Sequence, residues 1–232
     1  MKNGAVIAAG GTGTRMGTDI PKQLLKLGGI TILERTLMPF INCPEIGQIV
    51  IVAAESIIRD INGTVHETSA HARPITVVRG GRERQDSVLN GIMALDRDTG
   101  IVVIHDAVRP FITAGLVSEC IHAAETFGAV SVMRRIKETV KVVKNGRVVN
   151  TPDRSQLWIT QTPQAFRKEL IIEAHKRARD DRFIGTDDCM LVERLGYPVH
   201  VVEGSDTNIK ITTPTDLALA GALLKQFEDG RV

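Results

Sequence analysis

Ala5-Val6-Ile7-Ala8-Ala9-Gly10-Gly11-Thr12-Gly13-Thr14-Arg15-Met16-Gly17 runs from a short apolar stretch straight into a glycine-rich turn. The apolar stretch has the length and composition of a buried strand. A glycine turn at the C-terminal end of a first parallel strand is where open α/β sheets bind ligands. Glycine lets backbone N–H groups turn inward around phosphate oxygens with no Cβ in the way, so Gly10, Gly11 and Gly13 are candidate nucleotide-binding positions. Two familiar motifs are excluded. A dinucleotide fingerprint counted from Gly11 and Gly13 meets Met16 where its third glycine belongs, and a P-loop needs a Gly-Lys pair that the chain lacks. Just beyond the turn, Arg15, Lys22 and Lys26 are opposed only by Asp19. That local excess of positive charge suits a triphosphate.

Outward from this junction, β-branched runs alternate with segments of helical period. Ile49-Val50-Ile51-Val52, Ile75-Thr76-Val77-Val78, Ile101-Val102-Val103-Ile104, Ala129-Val130-Ser131-Val132 and Val199-His200-Val201-Val202 read as further strands. Strands apolar on both faces belong to a parallel sheet covered by helices on each side. Between them, Leu116, Val117, Cys120, Ile121, Ala124 and Phe127 fall on one helical stripe. Thr213, Pro214 and Asp216 spell the start of a last helix, with Thr213 as its cap. The order predicts a doubly wound, mostly parallel, Rossmann-like α/β sheet in a single domain over 1–232. One segment departs from it. Lys137 to Pro152 reads as two short strands around Lys144-Asn145-Gly146-Arg147, and Asn-Gly between β-rich flanks signals a hairpin. Spacing leaves open whether this arm, about 136–153, packs on its own domain or on a second subunit.

Composition narrows the function. With 232 residues and 43% hydrophobic content, the chain can bury a sizeable core. A net charge of +2 gives no general case for nucleic acid or membrane partners, and 3% aromatic content argues against base-stacking platforms. Cys43, Cys120 and Cys189 are far apart and odd in number, which fits buried, reduced thiols in a cytoplasmic protein. The histidines form no HxxxH or HExxH pattern, leaving little case for zinc. The N-terminal apolar stretch is too short for a signal peptide, and no apolar run approaches a membrane span.

Three more segments carry candidate chemistry. Asp106 ends the strand of Ile101-Val102-Val103-Ile104-His105-Asp106, so its carboxylate points into the same crevice as the glycine turn. There it is placed to hold Mg²⁺, or another divalent cation, on nucleotide phosphates. Arg79-Gly80-Gly81-Arg82-Glu83-Arg84-Gln85-Asp86-Ser87 leads from the third strand into a helix whose first N–H groups are free for a ligand. Lys210 lies between Ile209 and Ile211, and alternation sends it to the sheet face opposite both.

Taken together, AAGGTGTRM, PKQ, GGRERQDSV, HDAVRPF, KETVK, DRSQLWITQTPQAF, GTDD and EGSDTNIKITTP resemble the 2-C-methyl-D-erythritol 4-phosphate cytidylyltransferases, enzymes of non-mevalonate isoprene biosynthesis. The resemblance implies a cytidylyltransferase that moves CMP from CTP to that phosphate and releases pyrophosphate. It also implies a β-arm reaching a partner subunit, hence a homodimer. Arg15 and Lys22 would stabilise charge on the α-phosphate, and Ala8, Ala9, Gly10, Gly81 and Ser87 would form the base pocket. Asp106 would serve the Mg²⁺ and substrate region. Arg109, Thr139, Arg154, Thr162 and Lys210 would engage the acceptor, with Thr139 arriving from the second chain. Thr186 and Asp187 match the GTDD stretch without a role.

The implied nucleophile is a phosphate monoester, whose second pKa is near 6, so it needs no strong base. The barrier is electrostatic, and positioning plus charge neutralisation lower it. The catalytic set expected is Arg15, Lys22, Arg154 and Lys210. No Ser-His-Asp or Cys-His pattern calls for a covalent intermediate. Two rivals are a ribitol-5-phosphate cytidylyltransferase and a non-catalytic nucleotide-binding module. HDAVRP, Lys137-Glu138-Thr139 and Asp153-Arg154-Ser155-Gln156-Leu157-Trp158 favour the methylerythritol phosphate acceptor.

Overall fold

The structure is a computed structural model that describes residues 2–11, 16–17, 20–68 and 73–228. In chain order its strands and helices are β1 Lys2–Ala9, β2 Lys26–Leu27, β3 Ile30–Thr31, α1 Ile32–Ile41, β4 Ile46–Ala53, α2 Ile58–Thr68, β5 Ile75–Arg79, α3 Arg84–Ala94 and β6 Thr99–Asp106. The second half adds α4 Ala114–Phe127, β7 Ala129–Arg135, β8 Val142–Lys144, β9 Arg147–Asn150, β10 Trp158–Arg167, α5 Lys168–Asp180, α6 Asp188–Arg194, β11 His200–Glu203 and α7 Pro214–Glu228. Seven strands form one sheet in the order β11-β7-β10-β6-β1-β4-β5. β1 pairs parallel with β4 and β6, β4 with β5, and β11 with β7.

β1 shows why the sheet is covered on both faces. Its residues alternate between two apolar layers: Ala5, Ile7 and Ala9 face one, Val6 the other. The first layer takes Leu33, Leu37 and Phe40 of α1, Ile61 of α2, and Val117, Cys120, Ile121 and Ala124 of α4. The second takes Val88 and Ile92 of α3, Ile171 and Ala174 of α5, and Leu191 and Val192 of α6. The α4 stripe expected from sequence is therefore the buried face, except that Phe127 is 50% exposed and stacks on His200 at 4.0 Å. Gly91 lets α3 lie close to the sheet, because a Cβ there would sit 2.5 Å from Val6 Cγ1 and 2.6 Å from Val52 Cγ2. α7 opens on a reciprocal cap: Asp216 N–H donates to Thr213 Oγ1 at 3.2 Å, and Thr213 N–H donates to Asp216 Oδ2 at 2.8 Å.

Two local readings need amendment. β10 is a full strand antiparallel to both β6 and β7. It therefore lies between β6 and β7 in the sheet, and the sequence reading did not include it among the strands. Its signal is masked by Pro163, since proline argues against an interior strand, and by Thr160, Gln161, Thr162 and Gln164. Register breaks between Thr160 and Gln164, where the Thr162–Pro163 peptide is cis, and the polar residues find partners inside the fold. The second amendment concerns Lys210. Residues 208–212 form no strand, so no sheet pleat sets the direction of its side chain. Ile211 is buried against α7 and its N–H donates to Val108 O at 2.9 Å.

The hairpin β8–β9 is present, and its two-residue turn places Asn145 at φ 50° and Gly146 at φ 73°. Those positive angles are what a tight hairpin turn requires. Val142, Val143, Val148 and Val149 of the arm are all exposed.

Candidate active site

The C-terminal ends of β1, β5 and β6 open onto one cavity of about 240 Å³. Ala8 and Ala9 with Gly10 and Gly11 form one wall, Gly80 to Ser87 another, and Asp106 to Val108 the floor. Lys22, Gln23, Ala54 and Lys210 complete the lining. The two glycines after β5 leave room that side chains would fill. A Cβ on Gly80 would lie 2.8 Å from Ser87 Oγ, and one on Gly81 would lie 2.3 Å from Asp86 Cβ. Ser87 Oγ instead accepts from Gly81 N–H and donates to Glu83 O, both at 3.0 Å, which ties the turn to the first turn of α3.

The glycine turn after β1 is held from beneath. Gln23, only 1% exposed, donates Nε2 to Ala9 O at 2.8 Å and to Gly11 O at 3.3 Å. Lys22 beside it brings Nζ within 3.5 Å of where a Cβ on Gly11 would be. Gly13 and Arg15, both expected at this turn, lie outside the described residues.

Asp106 is the centre of charge. Its side chain is 8% exposed, and Lys210 Nζ meets Oδ2 at 2.9 Å. Arg109 Nε lies 3.4 Å from the same oxygen, and Arg84 Nε 3.6 Å from Oδ1. Burial alone would push the Asp106 carboxyl up. Lys210, Arg84 and Arg109 overcome that and hold it well below the usual carboxylate range.

Behind this carboxylate runs a hydrogen-bonded chain with a fixed direction. Arg109 O can only accept, so His105 Nε2 carries the proton that donates to it at 3.1 Å. His105 Nδ1 then accepts from Thr162 Oγ1 at 2.9 Å, and Thr162 Oγ1 accepts from Asp106 N–H at 3.1 Å. Asn208 donates Nδ2 to Thr162 O at 2.9 Å, while Arg109 Nη1 donates to Asn208 O at 2.8 Å. The polar stretch of β10 thus supports both the turn after β6 and the segment that carries Lys210. Gln161 joins it, donating Nε2 to Ser205 O at 2.8 Å.

Ala8, Ala9, Gly10, Gly11, Lys22, Gly81, Ser87, Asp106 and Lys210 therefore share one cavity. Arg109 and Thr162 contact Asp106 from its rim and from behind. Arg154 lies elsewhere: it donates Nη1 to Lys137 O at 2.7 Å at the base of the arm. Thr139 is likewise exposed in the arm and lines no part of this chain's cavity. Sequence reading missed Gln23, His105, Asn208 and the Arg84 pair with Asp106. The Gln of PKQ and the His of HDAVRP lay inside motifs already noted, and polarity next to a strand end was their only signal. Among the described residues no group of three or more His, Cys, Asp or Glu is placed to hold a metal. Burial pushes the Cys43 and Cys120 thiols up, to about 11 and about 12, which makes them poor nucleophiles.

The family model described as 2-C-methyl-D-erythritol 4-phosphate cytidylyltransferase matches residues 4–226. A protein of that name from Syntrophus aciditrophicus is 45% identical over 98% of this chain and 97% of its own. One from Pelotomaculum thermopropionicum is 44% identical over 97% of this chain and 94% of its own. Among solved structures, 4-diphosphocytidyl-2C-methyl-D-erythritol synthase from Anaerococcus prevotii superposes with TM-score 0.86 at 33% identity, covering 97% of this chain and 98% of its own. The cytidylyltransferase from Thermus thermophilus gives TM-score 0.76 at 31% identity, covering 95% and 98%.

Burial pushes the His105 imidazole down to about 4, so the native protein keeps it neutral while the unfolded chain protonates it near its ordinary value of about 6.5. The unfolded state therefore binds more protons between these values, and stability falls as pH drops through that window. The full contribution, on the order of 3 kcal/mol, is present above about pH 6.5 and gone near pH 4. Urea unfolding at pH 7 and at about pH 4.5 should show this loss in the native protein, and a distinctly flatter dependence in His105→Gln. Equal slopes in the two would refute a buried neutral His105.

Proposed function

Because the chain belongs to the 2-C-methyl-D-erythritol 4-phosphate cytidylyltransferase family, we propose that the cavity around Asp106 is where its chemistry takes place. The enzyme transfers CMP from CTP to 2-C-methyl-D-erythritol 4-phosphate, giving 4-diphosphocytidyl-2-C-methyl-D-erythritol and pyrophosphate. The ribitol 5-phosphate acceptor is not favoured. One observation carries the site assignment: Lys22, Lys210 and a glycine turn line the same cavity as Asp106, with Arg84 and Arg109 against its carboxylate.

The acceptor phosphate, with a second pKa near 6, arrives mostly as a dianion. It must approach an anionic triphosphate, so the protein's task is to hold two anions together in line. Amides of the Gly10-Gly11 turn and Nζ of Lys22 meet the CTP phosphates, and the family resemblance assigns Arg15, which lies outside the described residues, to the same charge. Lys210 is placed between Asp106 and the nucleotide, and Arg109 faces the acceptor phosphate. Gly80, Gly81 and Ser87 leave a narrow slot suited to the flat cytosine ring. Arg154 and Thr139 reach the acceptor from a second subunit. No proton need be abstracted from a nucleophile that arrives already ionised, so the reaction asks for no general base.

The site fits a divalent cation that enters with the nucleotide. Mg²⁺ is ordinarily held by one or two carboxylates together with substrate phosphates. Asp106 supplies one, and its Oδ1 has only the longer 3.6 Å contact to Arg84. The cation would withdraw charge from the phosphate oxygens.

Exposed Val142, Val143, Val148 and Val149 on a hairpin that cannot stand alone support the dimer. A cytoplasmic setting agrees with three free, buried cysteines. No helix among the described residues is long and apolar enough to cross a membrane.

Purified protein should release pyrophosphate from CTP, and not from ATP, UTP or GTP, with 2-C-methyl-D-erythritol 4-phosphate as acceptor, and chelation should stop it. Release driven by ribitol 5-phosphate instead would overturn the acceptor assignment, and turnover undiminished by chelator would remove the cation. Lys22→Ala should lower kcat on the order of 10²–10³-fold while KM for CTP changes only a few-fold. Equal losses in both would make Lys22 a ground-state binder. Val148→Asp should shift the protein from dimer to monomer in sedimentation and remove most activity; an active native monomer would contradict the arm's assigned role.

A further inference from the structure

The stretch Gly185-Thr186-Asp187-Asp188 has no part in the chemistry above, yet it ends on a carboxylate that is 1% exposed. A buried carboxylate is costly unless it is paired and hydrogen-bonded. Asp188 finds its partner 104 positions away in sequence: Arg84 Nη1 donates to Asp188 Oδ2 at 2.8 Å. His175 lies beside it with Nε2 3.8 Å from Oδ1, but neither ring nitrogen makes a hydrogen bond among the described residues. Burial lowers the pKa of that imidazole, and the close, hydrogen-bonded cation on Asp188 is Arg84, at 2.8 Å against 3.8 Å for His175.

Arg84 faces the cavity with its other edge, placing Nε 3.6 Å from Asp106 Oδ1. One guanidinium thus spans two carboxylates, one from the end of β6 and one from the start of α6. A guanidinium is a rigid planar fork, so fixing one edge fixes the direction of the other. The Asp188 end is firmly anchored. Gln85 donates Nε2 to Phe183 O at 3.2 Å and accepts from Gly185 N–H at 3.0 Å, while Asp188 N–H donates to Gln164 Oε1 at 3.2 Å.

We propose that Asp188 is a positioning residue of the reaction: through Arg84 it holds the Asp106 carboxylate in the orientation that lets Lys210 and Arg109 meet its other oxygen. Without Asp188, Arg84 would be an uncommitted cation at the cavity edge and would turn onto the nucleotide phosphates. This rests on the reading of Asp106 as the working carboxylate of the site.

A double-mutant cycle on kcat/KM with Arg84→Ala tests it. Asp188→Asn should lower kcat/KM about 10- to 100-fold in the native background, and less than about twofold further in the Arg84→Ala background. A merely structural defect would lower activity alike in both backgrounds, so additive losses would overturn the proposal. If Asp188→Asn alone does not fold, the variant with both changes, which removes the buried pair together, is compared with Arg84→Ala. Equal kcat/KM supports coupling, and a further tenfold loss refutes it. Asp106→Asn separates the two levels. Activity retained there removes the premise and this inference with it, whereas loss there with an additive cycle removes the inference alone.

Discussion

A carboxylate taken out of water at the end of a strand is tolerable only when cations close around it. Asp106 is such a group, and the rest of the site is arranged by that requirement. Lys210, Arg109 and Arg84 come from three separate parts of the chain and converge on two oxygens. Each cation in turn needs its own fixed base. Arg109 is tied to the Asn208 carbonyl, Lys210 rides on a segment anchored by buried Ile211, and Arg84 is held by Asp188. The cavity therefore has a set electrostatic shape before any nucleotide enters, which is the kind of preorganisation that stabilises transferred phosphates.

The sheet supplies the geometry for this charge cluster. Alternation along β1 fills both apolar layers, so its C-terminal end is rigid where the glycine turn begins. β10 contributes what a purely parallel sheet would lack. Its buried polar residues form a second, uncharged layer, in which Thr162, His105 and Asn208 connect the turn after β6 to the Lys210 segment. Buried hydrogen bonds of this kind restrict the arrangement of the groups above them.

Much of this was legible in the sequence because the signals were local. The apolar run into Gly10-Gly11, Asp106 at a strand end, the Thr213–Asp216 cap and the Asn145-Gly146 turn each depend on residues close together in the chain. β10 was not legible, since Pro163 and four polar residues hide a strand whose partners are supplied only by the folded interior. Lys210 was noticed for its place between two isoleucines, but its direction comes from Asp106 and not from a strand pleat. Arg84 was passed over within GGRERQDSV because nothing nearby in sequence marks Asp188 as its partner. Arg154 and Thr139 matched motifs well, yet within one chain they stand at the arm and away from the cavity.

The convergence of cations on Asp106 can be read directly from its protonation. With the Asp106 carboxyl ¹³C resonance assigned through Asp106→Asn, its shift would be followed from pH 7 down to about 3.5 while the protein stays native. The structure predicts an ionised carboxylate throughout that range. Protonation with a midpoint near the ordinary aspartate value of about 3.9 would mean that the three cations do not gather on it, and the organisation described for the site would be wrong.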